Sequence, residues 1–143
     1  MSNGFYNVPF HGNEEVLSYA PGSAEREELQ AKYKEMYNNK IDVPSYIGSK
    51  QIHTDNKFTL SPPHDHKHSL GTYSLGTKKH VEEAIEAALA AKSDWENMAW
   101  ESRAAIFLKA ADLLAGPYRA KMNAATMLAQ SKNCYQAEID SVC

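Results

Sequence analysis

Apolar positions recur with two different periods along the 143 residues, and the changes of period divide the chain. From Ser23 the run Ala-Glu-Arg-Glu-Glu-Leu-Gln-Ala-Lys-Tyr-Lys-Glu-Met-Tyr predicts a helix over 24–38. Ser23 can cap its free amides and Glu25 lies at the positive end of its dipole. Asn38-Asn39 can close it, and Asp42-Val43-Pro44 then forces an extended segment, because a residue before proline avoids helical geometry. Between Ser45 and Ser74 short β-prone pieces, Ser45–His53, Lys57–Leu60 and Gly71–Leu75, are separated by Gly48, Pro62-Pro63 and Gly71. They read as a β-hairpin with a third strand, in need of a covering surface. Beyond Thr77, taken as a cap, Val81, Ala84, Ile85, Ala88 and Leu89 follow helical spacing, with one face buried and Glu82, Glu83 and Glu86 on the other. A helix over about 99–115 carries Ile106, Ala110, Leu113 and Leu114 as its stripe, and Gly116-Pro117 ends it. A third, over about 118–130, has a softer face of Met122, Ala125 and Ala129. A fourth begins near Asn133 and shows no C-cap before Cys143, which predicts a truncated helix.

The residues up to Ser23 hold Gly4, Pro9, Gly12, Pro21 and Gly22 among aromatics, a mixture suited to turns and extended backbone, so they read as an arm lying on another surface. The expected organisation is therefore an N-terminal arm with one helix over 1–44, a β-hairpin and strand region over 45–76, and an antiparallel set of amphipathic helices over 77–143.

With 43% hydrophobic and 23% charged residues the composition is that of an ordinary globular chain. A net charge of -3 provides no polycationic surface for phosphates, so neither nucleic acid nor an anionic membrane is an expected partner. The longest apolar run, Ala104–Leu108, stops far short of the ~20 residues that span a bilayer. No secretory signal or mitochondrial presequence is legible at Met1–Phe10, which points to the cytoplasm of a bacterium. Two cysteines, Cys134 and Cys143, match neither a disulfide scaffold nor a zinc pattern and fit a reducing compartment.

Little of the local chemistry suggests catalysis. The seven glycines never fall as GxGxxG or GxxxxGK, so no self-contained dinucleotide-binding domain is expected. His64, His66 and His68 alternate and on an extended segment could meet a divalent metal. Lys67 would repel it and no distant ligand completes the set, so a polar turn after Pro62-Pro63 is the stronger reading and no metal is assigned. Glu138 and Asp140, two apart on a helix, point to different faces and cannot share a substrate. Trp95, Trp100 and Phe107 read as core or interface anchors. Cys134 has Lys132 nearby but no histidine in its local sequence to activate it, so it reads as structural.

Resemblance adds what local chemistry does not. Val81–Trp95 and Glu101–Leu114 resemble the front of the aldehyde dehydrogenase superfamily. Ile106–Arg119, Gln136–Asp140, Asn7-Val8-Pro9, Glu14–Arg26 and Tyr46–Lys50 resemble its 1-pyrroline-5-carboxylate dehydrogenase branch, also called glutamate-γ-semialdehyde dehydrogenase. Ser131-Lys132-Asn133 departs from the Gly-Lys-Thr common in that branch. The resemblance implies an α/β parent of the aldehyde dehydrogenase fold, several times longer than this chain. In it residues 77–143 are a helical part of the cofactor-binding domain, and the chain's partners are the remainder of the parent, an aldehyde substrate and further copies in a homo-oligomer. It implies an NAD-dependent oxidation of L-glutamate γ-semialdehyde to L-glutamate in proline degradation. There a cysteine thiolate attacks the aldehyde, hydride passes to NAD, and a glutamate activates the water that releases product. In a eukaryote it would imply the mitochondrial matrix.

Neither Cys134 nor Cys143 aligns with that nucleophile and no glutamate here aligns with its base, so no catalytic or cofactor-binding residue is assigned and the chain by itself is expected to be inactive. One position is carried over: Glu138, on the helix that borders the aldehyde pocket in the resembled enzymes, is the substrate-pocket candidate, against the alternative of a helix-surface glutamate. A reading from another class, a non-catalytic binding module related to aldehyde dehydrogenases, conflicts with the open apolar helix end.

Overall fold

The computed structural model describes residues 4–7, 9–10 and 12–142; Cys143, for which the sequence suggests no role, lies outside them, as do Met1–Asn3, Val8 and His11. In chain order the elements are α1 (Ala24–Asn38), β1 (Ile41–Val43), β2 (Ser45–Ile47), β3 (Lys50–Ile52), β4 (Lys57–Leu60), β5 (Gly71–Ser74), α2 (Lys78–Asn97), α3 (Trp100–Ala115), α4 (Arg119–Gln130) and α5 (Cys134–Ser141). Every expected helix is present within a residue or two of its expected start.

The caps explain why the boundaries were legible. Thr77 Oγ1 accepts from the His80 amide and His80 Nδ1 accepts from the Thr77 amide, a reciprocal box that satisfies two otherwise orphaned donors. Asn133 and Gln136 do the same at the start of α5. Ser23 departs from expectation: it takes the extended backbone of an N-cap, but its hydroxyl accepts no amide. The first turn of α1 leans on Glu25 instead, whose carboxyl is held below its usual range chiefly by its own backbone amide.

The strand region differs from a hairpin with one added strand. A hairpin is present, but it lies inside the first of the expected pieces, Ser45–His53: β2 pairs with β3, Tyr46 opposite Gln51, and the chain turns at Gly48 with φ +58°. It is a sheet of its own. The other three strands form a second sheet in the order β1-β5-β4, with β5 antiparallel to β4 and parallel to β1. The extended segment before Pro44 is thus a strand, and it hydrogen-bonds across the boundary drawn at residue 44. Sequence periodicity could not show this, because a three-residue strand carries too few positions to alternate. Asp42 fastens the sheet, accepting from Lys57 Nζ at 2.7 Å, Thr72 Oγ1 at 2.8 Å and His53 Nδ1 at 2.9 Å. The Lys57 hydrogen bond, with Thr72 and His53 assisting, brings its pKa down to about 2.

The core lies between α1, α4 and the arm, where Tyr19, Leu29 and Ala124 are buried with Leu17, Tyr33, Met36, Met127 and Cys134 packed on them. Burying Leu29 and Leu128 contributes ~2–3 kcal/mol each. Ala120, Ala124 and Ala137 are buried too, small enough for helix backbones to approach closely. The buried stripe of α4 is Ala120, Asn123, Ala124 and Leu128, not Met122, Ala125 and Ala129; Asn123 disguised it, since a polar residue reads as an outward position.

The faces of α2 and α3 are the larger correction. Val81, Ile85 and Leu89 keep their helical spacing but are 58%, 54% and 65% exposed, and neither helix has a buried residue. Trp95 and Phe107 meet edge to face with ring centroids 6.3 Å apart, yet both remain largely exposed, as does Trp100. The amphipathic pattern is real, but none of the described residues covers the Val81, Ile85 and Leu89 stripe. Among the described residues no helix is long and apolar enough to cross a membrane.

Candidate functional site

Glu138 stands on the short helix α5, and it is fully buried. The helix-surface alternative is therefore excluded. Its Oε1 accepts from the Leu17 amide at 3.1 Å, from Arg119 Nε at 3.0 Å and from Arg119 Nη2. Its Oε2 accepts from the Tyr19 hydroxyl at 2.6 Å and Asn123 Nδ2 at 2.5 Å. An ionised carboxylate has about four lone-pair positions, so these donors leave neither oxygen free.

Arg119 opens α4 and is the counter-ion. Its remaining N–H groups reach Glu14 Oε1 at 2.6 Å, the Glu15 carbonyl at 2.6 Å and the Ala115 carbonyl at 3.4 Å. Burial disfavours charge on both partners, but the opposing hydrogen bonds win. The Arg119 guanidinium is held above its ordinary pKa by Glu138 and Glu14, and the Glu138 carboxyl below its own by Arg119, Tyr19 and the Leu17 amide. The Tyr19 phenol is pushed up to about 12, first by burial and then by donating to a carboxylate. This node came from no local motif. Arg119, Asn123 and Tyr19 look in the sequence like a surface cation, a polar helix residue and a loop aromatic.

The other residues with candidate chemistry, each read from the sequence as structural or solvent-facing, make no hydrogen bond to Glu138. Asp140 faces the exterior and pairs with Lys132, which is thereby engaged away from any role beside Cys134. Cys134 is half-buried and lines a cavity of about 300 Å³ with Tyr19, Arg26, Leu29, Gln30, Tyr33 and Met127. The His64–His68 segment serves as a tie between loop and helices: His64 Nδ1 lies 2.7 Å from Ser131 Oγ. The His68 ring stacks on Tyr37 at 3.7 Å, and Asp65 accepts from the Tyr37 hydroxyl at 2.8 Å. Among the described residues no three His, Cys, Asp or Glu side chains gather as a metal site.

Taken together, the geometry is that of a rigid polar joint between arm and helices, and it holds no nucleophile with a base beside it. The model of the aldehyde dehydrogenase family matches residues 51–142. Delta-1-pyrroline-5-carboxylate dehydrogenase of Agaricus bisporus is 50% identical over 137 residues, 95% of this chain and 25% of the relative. The human mitochondrial enzyme of the same name is 40% identical over 129 residues, 90% of this chain and 23% of the relative. A crystal structure of the Delta-pyrroline-5-carboxylate dehydrogenase from Mycobacterium tuberculosis bound with NAD superposes with a TM-score of 0.96 at 45% identity, over 99% of this chain and 27% of that one. The chain thus spans about a quarter of the length of the relatives it matches, and the fold is that of their N-terminal region, part of an α/β architecture. The chain belongs to the aldehyde dehydrogenase family.

Proposed function

We propose that this chain is the N-terminal part of an NAD-dependent 1-pyrroline-5-carboxylate dehydrogenase, which oxidises L-glutamate γ-semialdehyde to L-glutamate in proline degradation. The observation that carries the reading is the 50% identity to a relative of that name along 95% of the chain. NAD would serve as the hydride acceptor. The residues in hand form no cradle for it, since no glycine-rich phosphate turn is among them, so cofactor, nucleophile and base belong to the remainder of the enzyme.

What this chain contributes is framing. The uncovered stripe Val81, Ile85 and Leu89 on α2, with Trp95 and Phe107, is the surface on which the rest of the enzyme rests. The side of α5 borders the aldehyde pocket, and Glu138 serves that border through the hydrogen bonds that hold the helix. The enzyme works as a homo-oligomer in the cytoplasm, or in the mitochondrial matrix of a eukaryotic host; the name of its human relative supports a mitochondrial place.

The test is an assay of the full-length protein for pyrroline-5-carboxylate-dependent NAD reduction. Activity there, with none from the 143 residues alone, is the expected result. A folded full-length protein that oxidises other aldehydes but not this one would refute the substrate, and one that reduces no NAD with any aldehyde would favour a non-catalytic binding module.

A further inference from the structure

Three segments far apart in sequence converge on one carboxylate. Residues Glu14, Glu15, Leu17 and Tyr19 of the arm are each held by Arg119 or Glu138. Residues 12–20 have no helix or strand of their own, so no backbone ladder fixes their path. Tyr19 is also in the left-handed region, with φ +49°, an unfavourable place for a bulky residue. It persists there because the ring is buried, the hydroxyl donates to Glu138 and Arg26 Nη1 donates to the Tyr19 carbonyl at 3.2 Å.

The other side of the joint is equally dependent. Among the described residues of α5 only Ala137 and Glu138 are buried. An alanine gives a helix a close approach but little rotational hold, so the Glu138 carboxylate, with Cys134 packed on the core and Ser141 Oγ 2.6 Å from Thr126 Oγ1 at the two ends, orients α5 about its axis. With both oxygens filled, that carboxylate has nothing left for a substrate.

We propose that Glu138, Arg119 and Tyr19 are positioning residues: they form a lock that straps arm residues 14–19 across α4 and α5 and thereby fixes the pocket-facing side of α5. Only the kinetic consequence of this lock rests on the dehydrogenase reading above. The lock itself is a statement about the arm and α5.

Tyr19→Phe tests it in the full-length enzyme, because it removes the hydroxyl and keeps the ring that fills the core. Glu138→Gln is the stronger companion, keeping shape while removing charge. Amide exchange would be followed in segments 13–20, 134–141 and, as a control, 78–97. Opening of a local unit raises exchange across that unit alone, so Tyr19→Phe should accelerate exchange by roughly tenfold in both 13–20 and 134–141 and leave 78–97 unchanged. The aldehyde KM should rise about fivefold, more than kcat falls, with the NAD KM unmoved, the signature of lost substrate positioning. Faster exchange in the arm with α5 and the aldehyde KM unchanged would overturn the proposal. A wild-type enzyme inactive on the aldehyde would refute the dehydrogenase reading, while the exchange coupling would still decide the lock.

Discussion

Ser131 closes α4 in the left-handed conformation, with φ 56°, and its hydroxyl lies 2.7 Å from His64 Nδ1, 67 residues earlier in the chain. The two facts offset each other. A side chain in that region costs ~1 kcal/mol relative to glycine, and one hydrogen bond returns about as much. This gives physical content to the departure from Gly-Lys-Thr at 131–133. Here the turn is held by a tether from the loop, not by glycine's freedom.

Ser131→Ala is therefore expected to lower stability by about 1 kcal/mol, since it keeps the strain and loses the tether. Ser131→Gly loses the tether and the strain together and should stay within about 0.5 kcal/mol of the wild type. Urea unfolding of both, with His64→Ala, checks the idea: the effects of Ser131→Ala and His64→Ala should fail to add, as for any two halves of one contact.

Gly71 begins β5 with φ +139°, and a Cβ placed on it would stand 1.8 Å from the Ile41 carbonyl oxygen. That oxygen belongs to backbone and cannot step aside without breaking the parallel pairing of β1 with β5. Gly71→Ala should cost ~2 kcal/mol or more, in the range of strained backbone positions, and release β1. Amide exchange at Ile41–Val43 would show it; protection at the wild-type level would contradict the assigned register.

Glu138→Ala removes the buried partner of Arg119 and leaves Glu14 alone to pair it, so the loss is expected to stay below the ~3–5 kcal/mol of a wholly uncompensated buried charge. The same pair sets a pH dependence. The folded-state pKa of Glu138 is lowered from 4.5, so its contribution is complete above about pH 4.5 and is lost as the pH falls through the lower folded value. Tyr19 works at the opposite end. Its pKa is raised from 10.0 to about 12, so its contribution is complete below pH 10 and is lost as the pH rises towards 12. In a spectrophotometric titration of the eight tyrosines, the latest phenolate should appear near pH 12 and vanish in Tyr19→Phe. Persistence of that late step in the variant would assign it elsewhere.

Leu89 is 65% exposed, so Leu89→Glu should change the stability of the 143 residues by no more than about 0.5 kcal/mol, as is usual at surface positions. In the full-length enzyme the same change would bury an unpaired charge under the proposed covering surface, and a loss of soluble, folded protein is expected. Equal tolerance in both settings would remove α2 from the list of contact surfaces.

How much of this was legible before the structure depends on the range of the interactions involved. The helices were readable because their causes are local: Thr77 and Asn133 cap within three residues, Gly116-Pro117 breaks one helix and opens the next, and apolar spacing repeats within a turn. The hairpin at Gly48 was readable only in part, because Ser45–His53 reads as one β-prone piece and the turn inside it rests on a single glycine. Glu138, by contrast, is a charged residue on a short helix, and a charged side chain argues for the surface. It is buried only because Arg119, Asn123 and Tyr19, up to 119 residues away, deliver donors to it. The fate of the α2 stripe was likewise undecided by its own pattern: periodicity says that a helix has an apolar face, and only the packing says whether anything lies on it. The sequence by itself determined the helices, their limits and, by resemblance, the family. Tertiary structure alone decided the β1-β5-β4 pairing, the buried joint and the open faces, since each depends on partners that no local window of residues contains.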